Sequence, residues 1–143
     1  MNRKVIAVDL DGTLAHSLPV FNPEIIGDPI ERMVARVEAH IKAGDKIVIF
    51  SARVAEDESI TPAGTTNKEF AAHQRALIES WCEKTFSQVF EVTAIKSPLF
   101  DLIYDDRAAQ IIPDQGETVY EALGRLNVEK IVKRQIKKSR VRK

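Results

Sequence analysis

Four short apolar runs, each broken off abruptly by polar residues, constrain this chain more than any other feature. They are Val5-Ile6-Ala7-Val8, Lys46-Ile47-Val48-Ile49-Phe50, Val92-Thr93-Ala94-Ile95 and Leu102-Ile103-Tyr104. Short runs rich in β-branched residues suit strands buried on both faces of a parallel sheet. Between them the periodicity is helical. Residues 29–43 place Ile30, Met33, Val34, Val37 and Ile41 on one stripe, with Pro29 in the first turn and Gly44 past the end. Residues 66–86 open with Thr66-Asn67-Lys68-Glu69, the pattern of a capping box, and turn Phe70, Leu77, Ile78 and Trp81 inward. A short strand at 110–112, stopped by Pro113, and a helix at 118–126 complete the pattern. Strands alternating with helices imply an α/β chain: a three-layer Rossmann-like sandwich around a central, mostly parallel sheet.

The residues that end these runs can carry chemistry. The first run leads into Asp9-Leu10-Asp11-Gly12-Thr13, the second into Ser51-Ala52-Arg53, the third into Lys96 and the fourth into Asp105-Asp106. In an open parallel sheet, ligands bind beyond the carboxyl ends of the strands. All four sets are therefore expected on one rim. Carboxylates at the end of a buried strand are costly unless they have a partner or a task. Oxygen ligands suit Mg²⁺, which takes few carboxylates and keeps places for water and phosphate oxygens. Asp9 is also placed to attack phosphorus, because aspartyl-phosphate formation is an established form of covalent catalysis. An Asp-Gly turn alone is commonplace. The recurrence of polar sets at four strand ends is what points to a site.

In these residues the chain resembles the haloacid dehalogenase-like hydrolase superfamily. Asp9-Leu10-Asp11-Gly12-Thr13 matches its first motif, Ser51 its second, Lys96 its third and Asp105-Asp106 its fourth, a likeness running over residues 5–113. The stretch 26–54 also looks like small phosphatase-like proteins common in bacteriophages and bacteria. The resemblance implies a phosphoric monoester hydrolase that uses Mg²⁺ and an aspartyl-phosphate intermediate. Asp9 would be the nucleophile and Asp11 the acid and base. Thr13, Ser51 and Lys96 would bind phosphate. Mg²⁺ would be held by Asp9, Asp11 through its main-chain carbonyl, Asp105 and Asp106, with Asp105 the nearer direct ligand. Arg53 and His16 are candidate substrate contacts, Arg53 being equally suited to a structural ion pair.

In this superfamily a cap domain enters after the first motif or between the second and third. Here residues 15–28 suffice for a short flap, and 54–66 for a loop. No sizeable cap domain is expected. By family analogy an open site suits a bulky substrate, such as a nucleic-acid end or a protein phosphoester, unless oligomerisation supplies a lid. A capless core also admits small nucleotides, and nucleotides or phosphorylated nucleic-acid ends are the expected substrates. Two alternatives remain: a phosphotransferase with the same nucleophile, against which an open site weighs because transfer must exclude water, and a polyanion-binding regulatory module that keeps the fold.

A chain of 143 residues is expected to form one domain, a core over 1–128 followed by a basic helix or tail over 129–143. Net charge is zero, yet the last fourteen residues hold eight Lys or Arg and no acid, leaving 13 basic and 21 acidic side chains before them. Like-charge clusters often bind polyanions, so the tail is a candidate nucleic-acid contact. Val128, Ile131, Val132 and Ile136 give it helical spacing. No apolar stretch reaches the length of a membrane span. The first strand begins too close to Met1 for a signal peptide. With a single Cys82, these features lead to the expectation of a cytoplasmic protein without a disulfide framework. His16, His40 and His73 lack ligand spacing, so zinc is not expected, and His40 and His73 read as surface residues.

Overall fold

The computed structural model describes residues 3–141. The elements run β1 (Val5–Val8), α1 (Glu31–Lys42), β2 (Lys46–Phe50), α2 (Asn67–Phe86), β3 (Glu91–Thr93), β4 (Leu102–Tyr104) and α3 (Val119–Val141), with two 3-10 turns at Ala52–Val54 and Glu58–Ile60. The four strands form one parallel sheet in the order β3-β2-β1-β4. The chain steps outward from β1 to β3, then returns to the other side of β1. The order therefore reverses between β1 and β4, the topological switch point at which open parallel sheets bind ligands.

Burial follows the apolar runs. Residues 6–8 of β1 and 47–49 of β2 are buried consecutively, as central parallel strands should be. Ile6, Val8, Ile47 and Ile49 join Val37 of α1 and Ile78 and Cys82 of α2 in one core cluster. The α1 stripe forms as the periodicity predicts. Thr66 caps α2 by accepting from the Glu69 N–H at 3.1 Å. No domain is inserted: residues 52–66 form the two 3-10 turns and loop, and 15–28 form a flap. The result is an α/β, Rossmann-like fold without a large cap.

The chain divides into two compact units between Asp106 and Arg107, and α3 runs across residues 128 and 129 without a break. The strand expected at 110–112 reduces to one antiparallel bridge, Ile111 to Thr118. Pro113 follows too soon for a ladder to grow. The helix expected at 118–126 runs on through residue 141. Its start is fixed by a reciprocal capping box, the Glu121 N–H bonding Thr118 Oγ1 at 3.0 Å and the Thr118 N–H bonding Glu121 Oε2 at 3.2 Å. Val128, Ile131, Val132 and Ile136 lie on this helix and stay roughly half exposed. Among the described residues, no helix is long and apolar enough to cross a membrane.

Candidate functional site

Two backbone bonds assemble the rim. The Asp9 N–H donates to Tyr104 O at 2.9 Å, so the first residue after β1 lies beside the end of β4. The Ser51 N–H donates to Thr93 O at 2.9 Å, which ties the end of β2 to that of β3. Parallel register thus does what the sequence pattern anticipates for Asp9, Asp105 and Asp106, each of which brings one carboxylate oxygen within 4.8 Å of the other two.

This cluster is crowded with like charge. Burial raises the Asp9 carboxyl from 3.8 to about 7, the Asp106 carboxyl and the Asp105 charge adding to the rise and the Thr13 hydroxyl opposing it. Thr13 Oγ1 lies 3.0 Å from both Asp9 Oδ2 and Asp106 Oδ1, and accepts the Asp106 N–H at 2.9 Å. A hydroxyl has one proton, so it donates to one carboxylate at a time. Thr13, the expected phosphate contact, clips the first motif to the fourth. Gly12 makes the approach of the fourth motif possible. Its φ is +85°, and a Cβ there would stand 2.7 Å from Asp106 Oδ2. Two of the turn amides are bonded within the turn: the Gly12 N–H donates to Ala15 O at 2.8 Å, and the Thr13 N–H to Leu10 O at 3.2 Å.

Asp11 faces different chemistry. Its carboxylate is gripped by Arg53, Nε to Oδ2 at 2.7 Å and Nη2 to Oδ1 at 2.8 Å. Arg53 is only 4% exposed. Its Nη1 bonds Gln74 Oε1 at 3.0 Å and Pro23 O at 3.4 Å, and its Nη2 also bonds Ile25 O at 2.8 Å. The Phe21 ring lies 4.9 Å from the guanidinium carbon. All five guanidinium donors are thereby engaged. Proposed from sequence as a substrate contact, Arg53 is committed to the structural ion pair that was its other reading. The remaining expected contact, His16, is exposed, and its backbone N–H bonds Asp28 O at 2.8 Å.

The flap of residues 15–28 is closed at its base and pinned along its length. Ala15 bridges Pro29, and a Cβ on Gly27 would meet His16 O at 2.0 Å. Gln74 Nε2 donates to Pro23 O at 2.7 Å, Trp81 Nε1 donates to Gly27 O at 2.9 Å, and His73 Nε2 lies 2.9 Å from Glu24 Oε2.

Ser51 is buried, and its Oγ accepts the Arg53 N–H at 3.2 Å. Lys96 stands three residues beyond β3, because β3 ends at Thr93 rather than Ile95. It is exposed and makes no side-chain bond or ion pair among the described residues. His40, read as a surface residue, is half-buried and engaged: Nδ1 lies 2.8 Å from Asp45 Oδ2 and Nε2 3.1 Å from the Tyr104 hydroxyl. That contact holds the Asp45 carboxyl below its usual value. Burial and the charge of Glu79 push the Cys82 thiol up to about 12, so this sulfur packs rather than attacks. A cavity of about 670 Å³ lies between α1 and α2 at the end of the flap, lined by Gly27, Val34, Trp81 and Thr85 among others. None of the rim carboxylates lines it.

Two residues of this arrangement are not readable as site residues in the sequence. Gln74 is one, although a polar residue on the stripe of Phe70, Ile78 and Trp81 was a signal. Thr13 as a clip is the other, and no local pattern announces it.

No family model matches the chain, and no curated protein matches it. Among solved structures, a conserved protein coded by a locus of Bacteroides thetaiotaomicron matches at 20% identity and a TM-score of 0.49, over 88% of this chain and 93% of that one.

Proposed function

We propose that this chain is a haloacid dehalogenase-like phosphatase, a Mg²⁺-dependent hydrolase of phosphoric monoesters that works through an aspartyl-phosphate. The observation that supports this most is the approach of the Asp9, Asp105 and Asp106 carboxylates to within 4.8 Å at the topological switch of a parallel sheet. Hard oxygen donors this close, one with its proton affinity raised by burial and then by its neighbours, form a set that fits Mg²⁺. The three carboxylates and the Asp11 main-chain carbonyl would hold the ion. Bound there, it would offset the repulsion between phosphate and carboxylates and polarise the phosphoryl oxygens.

The protein's own groups then divide the work. An Asp9 oxygen attacks phosphorus, forming one P–O bond as the bond to the leaving oxygen breaks. Asp11 gives that oxygen a proton, and afterwards takes one from the water that cleaves the aspartyl-phosphate. The Ser51 hydroxyl donates to a phosphoryl oxygen, and the Lys96 ammonium supplies positive charge to the intermediate. Thr13 keeps Asp9 and Asp106 in register. The open rim suits nucleotides or a phosphorylated nucleic-acid end.

Phosphate release from nucleoside monophosphates, 3′- and 5′-phosphorylated oligonucleotides and sugar phosphates, with and without Mg²⁺, tests the reading. Release that requires Mg²⁺ and is lost in Asp9→Asn is the expected result. No release from any of them by folded, Mg²⁺-loaded protein would overturn it. Eight basic residues in the last fourteen favour a second role, tethering to nucleic acid.

A further inference from the structure

We infer that Gln74 is a positioning residue for Asp11, acting through Arg53, and that the same buried amide fastens the flap to the arm holding Asp11. The role given to Asp11 rests on the phosphatase reading.

Gln74 lies on the apolar face of α2 and is fully buried. Burying a primary amide is unfavourable unless both of its ends are bonded. Here both are, and to different elements. Oε1 accepts from Arg53 Nη1, while Nε2 donates to Pro23 O in the flap. The guanidinium is a rigid plane with two usable edges. Gln74 and Pro23 hold the Nη1 corner, so the opposite edge, Nε and Nη2, is aimed at the two oxygens of Asp11. Nothing else among the described residues hydrogen-bonds the Asp11 side chain. Its rotamer is therefore set by Arg53, and the angle of Arg53 is set in turn by Gln74.

The grip leaves Asp11 usable. A carboxylate has about four lone-pair directions and the fork occupies two, and the Asp11 side chain remains 31% exposed. One lone pair on each oxygen is left for a leaving group or a water. Pro23 and Ile25 of the flap bond the same guanidinium, so movement of the flap and rotation of Asp11 are mechanically joined. An apolar side chain of the same volume would fill the core with neither bond.

The test compares kcat/KM for an alkyl and an aryl phosphate in one variant. β-Glycerol phosphate needs its leaving oxygen protonated, whereas p-nitrophenyl phosphate expels a stable phenolate. Gln74→Met keeps the volume and removes both bonds. Its kcat/KM for the alkyl ester should fall about tenfold or more beyond any fall for the aryl ester, because a displaced acid fails where it is most needed. Gln74→Glu keeps an acceptor for Arg53 and should restore the wild-type ratio to within about threefold. It loses the donor to Pro23, so the flap loosens and Trp81, the single tryptophan, becomes more open to a collisional quencher. If Gln74→Met does not fold, Arg53→Lys, which keeps the charge but not the fork, must show the same change of ratio. Equal losses on both esters would overturn the inference and leave the phosphatase reading standing. A wild type with no Mg²⁺-dependent turnover, or one indifferent to Asp9→Asn, would overturn both.

Discussion

Two groups of charged side chains lie next to each other in the chain and are resolved in opposite ways. Asp9, Asp105 and Asp106 set three acids together, and burial with mutual repulsion drives the Asp9 carboxyl up to about 7. Two residues on, Asp11 meets a guanidinium whose every donor has a partner. The first cluster brings like charges together, and under the proposed reading a cation would sit among them. The second is self-sufficient. Like charges approach on one side of this turn and opposite charges pair on the other, with Gly12 at the join.

The contrast can be broken most severely at Asp9. Asp9→Asn should lower phosphate release by about a thousandfold or more, since no other group replaces the nucleophile. The same change removes a repelling charge, so the metal-free variant should melt above wild type in a thermal scan. A variant both inactive and less stable would contradict the view of this cluster as strained by charge.

Arg53→Met tests the other half. It strands the Asp11 carboxylate, Gln74 Oε1 and the Ile25 carbonyl, and leaves the Pro23 carbonyl with Gln74 Nε2 alone. The expected loss is about 3 kcal/mol in chemical denaturation, in the range for breaking a largely buried pair. A loss under about 1 kcal/mol would mean that water replaces the fork without difficulty.

Gly12→Ala probes the join. Positive φ and the short approach to Asp106 together should cost about 1–3 kcal/mol. The displaced Asp106 should also weaken Mg²⁺ binding, which isothermal titration would read.

Acidity sharpens the comparison more gently. Asp9 binds its proton more tightly in the folded state than in the unfolded one, so its contribution favours folding below pH 4. That contribution is lost as pH rises from about 4 to about 7. Mg²⁺ must displace the same proton. The gain in melting temperature from saturating Mg²⁺ should therefore grow across that window and level off above it. A gain that is flat from pH 4 to 8 would remove Asp9 from the ion's ligands.

The smallest effect on the rim is expected from removing residues 130–143. Turnover of a small phosphoester should stay within about twofold of the full chain, while affinity for an oligonucleotide falls and loses its salt dependence. Unchanged oligonucleotide binding would deny the tail its tethering role.

The sheet, the four strand ends and the acid cluster were legible because each depends on local pattern plus one general rule. A run of β-branched residues makes a buried strand, parallel strands put their carboxyl ends on one side, and the polar residues after them must meet. The limits of α1 and the cap of α2 were legible for the same local reason. The strand at 110–112 was over-read, because an apolar triplet does not show whether a partner strand lies alongside. The end of β3 was placed two residues late, because the apolar run outlasts the hydrogen-bonded strand.

By itself, then, the sequence determined which side chains stand at the rim. Only the tertiary structure decided what each one touches. Arg53 and Asp11 are 42 residues apart, and Thr13 and Asp106 are 93 apart. A charge or a hydroxyl advertises many partners in sequence, and the one it takes depends on which segments the packed core brings within hydrogen-bond reach. Gln74 shows this most clearly: its type and its place on an apolar stripe say that it must be satisfied, but only the crossing of α2 beneath the flap says by what.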